Sequence, residues 1–219
     1  MEAGDDGWLV AGIADPNEVG AYYDAWAERY DADLHDWTYR APQIVAATVL
    51  DRMPDVSSVL DAGCGTGLVG RALRAAGFQG EIHGIDLSEA SLTVARRSGH
   101  YDRLTSANLQ HPLAFDDDSF DALTCVGVMT YVPDVEACWR EFSRVVRPGG
   151  VVVVTQRQDL WESRRCREVA ELLSAEQVWQ AVSISEAQPY LPDNDEFADQ
   201  IGVHYLAADV AARPTGRRG

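Results

Sequence analysis

From residue 58 to residue 154 the chain alternates between two hydrophobic patterns. Short apolar runs, of the kind that form strands buried on both faces, occupy residues 58–61, 81–86, 104–109, 120–126 and 151–154. Between them, apolar residues recur every three or four positions at 68–76, 88–97 and 134–146, which predicts helices. In the last of these, Val135, Cys138, Trp139, Phe142 and Val145 form a single stripe. Gly77 is a natural stop for the first helix and Ser88 a cap for the second. Strands separated by helices in this way build a parallel sheet.

The flanks are read the same way. A helix is expected over 18–29, carrying Tyr22, Tyr23 and Trp26, followed by an acidic and aromatic stretch with Asp31, Asp33, Asp36, Trp37 and Tyr39. A second helix over 41–52 keeps Ile44, Val45, Thr48 and Val49 on one side and ends before Pro54. Beyond 154, a helix over 160–173 and two closing strands at 178–185 and 203–208 bring the strand total to seven. The expected organisation is an N-terminal helical cap at 1–55, one α/β domain at 56–212 and a frayed tail at 213–219.

Composition narrows the partners. A chain of 219 residues supplies one α/β domain with a full core and little more. No apolar stretch approaches a membrane span, and the acidic start at Met1 lacks the basic segment and apolar run of a secretory signal, so cytoplasmic residence is expected. Net charge is −17, and every one of the 18 basic residues is an arginine. No basic stripe precedes Arg213, which argues against a nucleic-acid partner and leaves a small molecule as the expected one. Cys64, Cys125, Cys138 and Cys166 form no C-x-x-C pair, so no metal site is expected and the thiols read as buried and reduced.

The chemistry concentrates between Val59 and Gly70, which read Val-Leu-Asp-Ala-Gly-Cys-Gly-Thr-Gly-Leu-Val-Gly. An apolar strand meets the carboxylate of Asp61, and Gly63, Gly65 and Gly67 then let backbone approach a ligand closely. The stretch from Gly65 to Gly70 also fits the dinucleotide pattern G-x-G-x-x-G, with Asp86 at the expected distance, so a nicotinamide-type oxidoreductase is the rival reading. Asp61 weighs against it. A carboxylate at the strand end repels a pyrophosphate and attracts a cation, a difference of about 4 kcal/mol at contact distance and an effective dielectric near 20.

The stretch resembles motif I of the class I S-adenosylmethionine-dependent methyltransferases. Tyr23-Asp-Ala-Trp26-Ala-Glu-Arg-Tyr30, Tyr39-Arg40-Ala-Pro42 and Arg147-Pro-Gly-Gly150 extend the likeness to the methyltransferase-like group named after the Williams–Beuren region and its bacterial relatives. The resemblance implies a Rossmann-like fold: a seven-stranded, mostly parallel sheet with helices on both faces and an N-terminal helical lid. It also implies S-adenosylmethionine as cofactor, S-adenosylhomocysteine as product, and methyl transfer by in-line displacement.

Ligands of open parallel sheets sit beyond the carboxyl ends of the strands, so each strand end offers a candidate. Asp86 can accept both ribose hydroxyls and Leu87 can cover the adenine, while Asn108, followed by Leu109, can bond the adenine edge. Val126 opens the stretch where the family sets backbone carbonyls against the methionine end. Tyr23, Trp26 and Tyr30 are candidates for an aromatic helix closing over the cofactor, and Arg40 for a partner of its carboxylate. The base that a hydroxyl acceptor needs is left open among Tyr131, His204, His100 and Tyr205. A cofactor-binding regulatory module without catalysis of its own remains an alternative, because the stretch after the fourth strand is apolar.

Overall fold

Two helices lead into the sheet in the computed structural model, which describes residues 15–195 and 201–212. The expectations for residues 1–14 and 213–219 lie outside these. Helix α1 spans Pro16–Asp36 and α2 spans Ala41–Arg52. The first runs past the expected end at 29, through aspartates that are poor helix formers. Side-chain bonds override that propensity: within the helix Asp33 accepts the indole N–H of Trp26, and across to the glycine loop Asp31 accepts the hydroxyl of Thr66.

The alternating segment follows as β1 (Ser58–Ala62), α3 (Leu68–Ala75), β2 (Glu81–Asp86), α4 (Glu89–Ser98), β3 (Arg103–Ser106) and β4 (Phe120–Cys125). It continues with a 3-10 turn (Met129–Tyr131), α5 (Val135–Val145) and β5 (Val146–Arg157). The last third holds α6 (Gln158–Trp161), α7 (Cys166–Ala175), β6 (Trp179–Ile184), the two-residue β7 (Gln188–Pro189) and β8 (Gly202–Val210). Seven strands lie in the order β3-β2-β1-β4-β5-β8-β6, with β7 pairing on β8. Pairing is parallel from β3 to β5, and β8 runs antiparallel to both β5 and β6. This is the mixed α/β, mostly parallel sheet that the pattern predicted.

Period-two alternation sends neighbouring residues of β1 to opposite faces. Val59 packs with Val45, Val49 and Leu73 under α2 and α3, while Leu60 joins Leu123, Trp139 and Phe142 under α5. Ser88 caps α4 by accepting from the Ser91 amide at 3.0 Å. Trp179, fully buried, anchors β6 by donating its indole N–H to Ser143.

Three further boundaries differ from expectation. The helix expected over 160–173 is broken into α6 and α7, because Arg165 takes a left-handed conformation (φ 53°) and Arg164 turns back to the Val132 carbonyl. Strand β3 stops at Ser106, short of the expected 109, leaving residues 107–109 at the sheet's edge as loop. Strand β5 starts at Val146 and absorbs the Pro148-Gly149-Gly150 turn as a bulge, with pairing jumping from Phe120↔Val146 to Ala122↔Val151. Gly150 fits there because a Cβ would stand 2.3 Å from the Asp121 carbonyl.

Candidate cofactor and acceptor site

One cavity opens at the carboxyl ends of β1, β2 and β4, enclosing about 930 Å³ of atom-free space with its mouth included. Its floor is the glycine loop between β1 and α3. Gly63 has φ +76°, and a Cβ there would stand 2.3 Å from Val128, so no other residue lets the loop and the post-β4 segment meet. Five of the amides along the loop and the first turn of α3 are already engaged. Gly63 N–H and Cys64 N–H donate to the Ile85 carbonyl at 2.7 and 2.9 Å, and Gly67 N–H donates to Cys64 at 3.0 Å. Gly65 N–H donates to Asp86 at 2.8 Å and Gly70 N–H to the Tyr101 hydroxyl at 3.0 Å.

Asp86 closes one wall, with its carboxylate also receiving Ser88 N–H at 2.8 Å. Burial pushes its pKa upward against the pull of these backbone donors. Leu87 lies beside it, and Ala107, Asn108 and Leu109 bring the edge beyond β3 to the same wall. Asn108 turns its side-chain oxygen to the Gln110 amide at 2.9 Å. Gln110, which the sequence did not single out, also lines the cavity and donates to the Tyr131 carbonyl at 3.1 Å. Val126 and Tyr131 complete the side beyond β4.

The roof is α1. Pro16, Val19, Tyr23 and Tyr30 face the cavity, and the Tyr23 and Tyr131 hydroxyls meet at 3.0 Å across it. Polar contacts tie the helix down: Asp24 accepts from Ser88 and from the Ala90 amide at 3.1 Å, Asp31 from Thr66, and Glu28 pairs with Arg97 at 3.1 Å. Burial pushes the Tyr23, Tyr30, Tyr39 and Tyr131 phenols upward, so all four stay protonated at neutral pH.

Seven candidates are not brought to the cavity wall, His100 and Tyr205 among them. Asp61 is fully buried beneath the glycine loop, where Tyr101 donates to one carboxylate oxygen at 2.7 Å and Thr124 to the other at 2.9 Å. Burial, with a smaller push from Asp86, raises its pKa to about 6 in spite of those two bonds. Gly67 packs against Tyr101 and Ala95 instead. Trp26 sits behind Tyr30, its ring centroid 4.7 Å away, engaged with Asp33. Arg40 lies at the N-cap of α2 and borders a separate shallow depression with His35, Thr38 and Gln43, while its neighbours Tyr39 and Pro42 take the cavity wall. His204 stacks on Trp161 at 4.6 Å and bonds the Ser185 carbonyl through Nδ1.

The donor set separates the two cofactor readings. A diphosphate needs free amides or cations. Among the described residues no arginine, lysine or histidine lines the cavity, and the loop amides named above are taken. A carboxylate with unfilled lone pairs at Asp86, between leucines, fits a diol joined to a flat apolar base.

Known proteins agree with that fit. A family model described as a methyltransferase domain matches residues 60–154. Human methyltransferase-like protein 27 is 35% identical over 157 residues, 67% of this chain and 60% of that protein. The chain belongs to the class I methyltransferase superfamily.

Demethylmenaquinone methyltransferase of Bacillus subtilis is 40% identical over 102 residues, 44% of each chain. The methyltransferase domain therefore spans only part of the curated relatives' length. Among solved structures, the complex of the Haloferax volcanii Trm112 methyltransferase activator with a putative methyltransferase has the same fold, at TM-score 0.63 and 21% identity over 90% of this chain and 99% of that one. Among the described residues no helix is long and apolar enough to cross a membrane, and no three His, Cys, Asp or Glu residues group to hold a metal.

Proposed function

We propose that the protein is an S-adenosylmethionine-dependent methyltransferase acting on a small-molecule acceptor. The observation that carries this is the pairing of Asp86, on the cavity wall, with a glycine loop whose Gly63, Cys64, Gly65 and Gly67 amides are engaged internally. When bound, the cofactor supplies a methyl group on a sulfonium, a strong leaving group. The chain's own residues bind, align and exclude water. Asp86 holds the ribose hydroxyls, Leu87 and Leu109 flank the adenine, and Asn108 meets its edge. Gly63 and Gly65 let the backbone approach the methionine portion, towards Val126. Residues 1–55 act as the cap and 56–212 as the cofactor-binding domain.

The acceptor lies on the tyrosine side. Tyr23, Tyr39 and Tyr131 present protonated hydroxyls on a wall completed by Val128, Val132 and Pro42. Such a wall donates hydrogen bonds and grips apolar rings, but takes no proton at neutral pH. Tyr131 therefore orients the acceptor instead of deprotonating it, and His204 is not part of the wall. The acceptor presents a nucleophile that is already unprotonated, and holding it in line supplies about 7–11 kcal/mol of the barrier. The roofed cavity and a net charge of −17 favour a small molecule over a nucleic acid.

Titration calorimetry with S-adenosylhomocysteine tests this reading. Saturable binding in the micromolar range is expected. No heat with S-adenosylhomocysteine or S-adenosylmethionine, alongside binding of NAD, overturns it. Cofactor binding without transfer to any member of an acceptor panel reassigns the protein as a binding module.

A further inference from the structure

Tyr101, in the loop between α4 and β3, belongs to none of the roles above, yet it touches both Asp61 and the glycine loop from beneath. Its hydroxyl donates to Asp61 at 2.7 Å and accepts the Gly70 amide at 3.0 Å. One atom thus joins the end of β1 to the first turn of α3. Its ring fills the space beneath the glycine loop. A Cβ on Gly70 would stand 2.5 Å from the ring, one on Gly67 3.0 Å, and one on Gly84 2.9 Å. Gly70 lines no cavity and has no left-handed conformation, so close approach by this ring is what its lack of a side chain serves, while at Gly84 the ring shares the space with Leu104 and Cys64.

We propose that Tyr101 is the positioning residue of the cofactor site: its ring shapes the glycine loop from below and its hydroxyl orients Asp61 towards the methionine end of the ligand. The inference rests on the cofactor reading given above. Burial works against the charge on Asp61, and only Tyr101 and Thr124 hydrogen-bond its carboxylate in support. The other titratable groups facing it are Asp86 at the end of β2, Cys64 in the loop and Cys125 on β4. Both thiols are raised by burial and stay neutral, and Asp86 keeps its own backbone donors when Tyr101 changes. Removing the phenol oxygen therefore shifts the Asp61 titration upward and frees the Gly70 amide.

Calorimetry with S-adenosylhomocysteine from pH 5 to pH 8.5 compares the wild-type protein with Tyr101→Phe, which keeps the ring. The variant is expected to bind about tenfold more weakly at pH 7. The pH at which its affinity falls should also lie higher than in the wild type by roughly one unit. A purely structural role does not move that midpoint. If Tyr101→Phe fails to fold by circular dichroism, Gly70→Ala replaces it: the phenol stays and a methyl intrudes on the ring, with the same weakening expected. Equal affinity and an equal midpoint in a folded Tyr101→Phe, or wild-type affinity in Gly70→Ala, overturns the proposal alone. A wild-type protein that does not bind S-adenosylhomocysteine overturns the cofactor reading and this proposal together.

Discussion

Asp61 and Asp121 are buried carboxylates on adjacent strands, and their surroundings are opposite in kind. Asp121 stands at the amino end of β4. It receives Ser57 N–H at 2.8 Å, Ser57 Oγ–H at 2.6 Å, Ser58 N–H at 3.0 Å and the Nε–H of Arg147. Burial alone would raise its pKa, but Ser57 and Arg147 outweigh it and hold the group below the usual carboxylate range. Asp61, at the carboxyl end of β1, has two hydroxyl donors, no arginine, and a pKa raised to about 6. The structural end of the sheet completes its carboxylate. The binding end leaves one electrostatically unfinished, and such a group is stabilised by a cation from outside.

The contrast can be broken by exchanging readouts between the two ends. The largest effect is expected at the carboxyl edge, where Asp86→Ala removes two charge-assisted bonds to the ligand and the support of Gly65. Affinity for S-adenosylhomocysteine should fall roughly 100-fold or more by calorimetry, with the fold retained by circular dichroism. At the amino edge, Asp121→Ala should lower the unfolding free energy in urea by about 3 kcal/mol, leaving the affinity of the folded protein unchanged. If Asp121→Ala loses affinity and not stability, the division of labour between the edges is wrong.

pH sharpens the comparison. The folded pKa of Asp61 is raised, so its contribution to folding is present at low pH and is lost as pH rises through about 6. Binding runs the other way, because the ligand's cation needs the ionised form: affinity should drop about tenfold at pH 5 relative to neutral pH. Asp121, with a depressed pKa, supports folding above its unfolded value and loses that support only as pH falls below about 4. Urea titrations across this range should therefore show Asp61→Asn flattening the limb near pH 6 and Asp121→Asn the limb near pH 4. The smallest effect is expected from Arg40→Ala. Its guanidinium borders a different depression, so affinity should change less than about twofold.

The sheet was legible because burial on both faces leaves runs such as Val151 to Val154, and helices such as Val135–Val145 leave a stripe. The glycine loop was legible because its chemistry lies within a dozen consecutive residues. The misreadings have longer reach. Tyr39 and Arg40 are neighbours, and the choice between them depends on which way the chain enters α2. Here the tyrosine turns into the cavity, and the arginine takes the N-cap position of α2 and borders a different depression. Tyr101 reaches Asp61 from 40 positions away, and nothing near Tyr101 in the chain marks it. Its signal lay in Gly70 and Gly84, whose small size no local turn explains. The split between α6 and α7 depends on Arg165 adopting a left-handed conformation that no sequence pattern announces.

The ties between α1 and the body of the protein bear on timing. Asp24 grips the start of α4 and Asp31 grips Thr66 inside the glycine loop, so the helix above the cavity is fastened to the same pieces that cradle whatever lies below. A molecule leaving by that route has to wait for those fastenings to break together. Those ties of α1 bear on residence time more than on the chemical event.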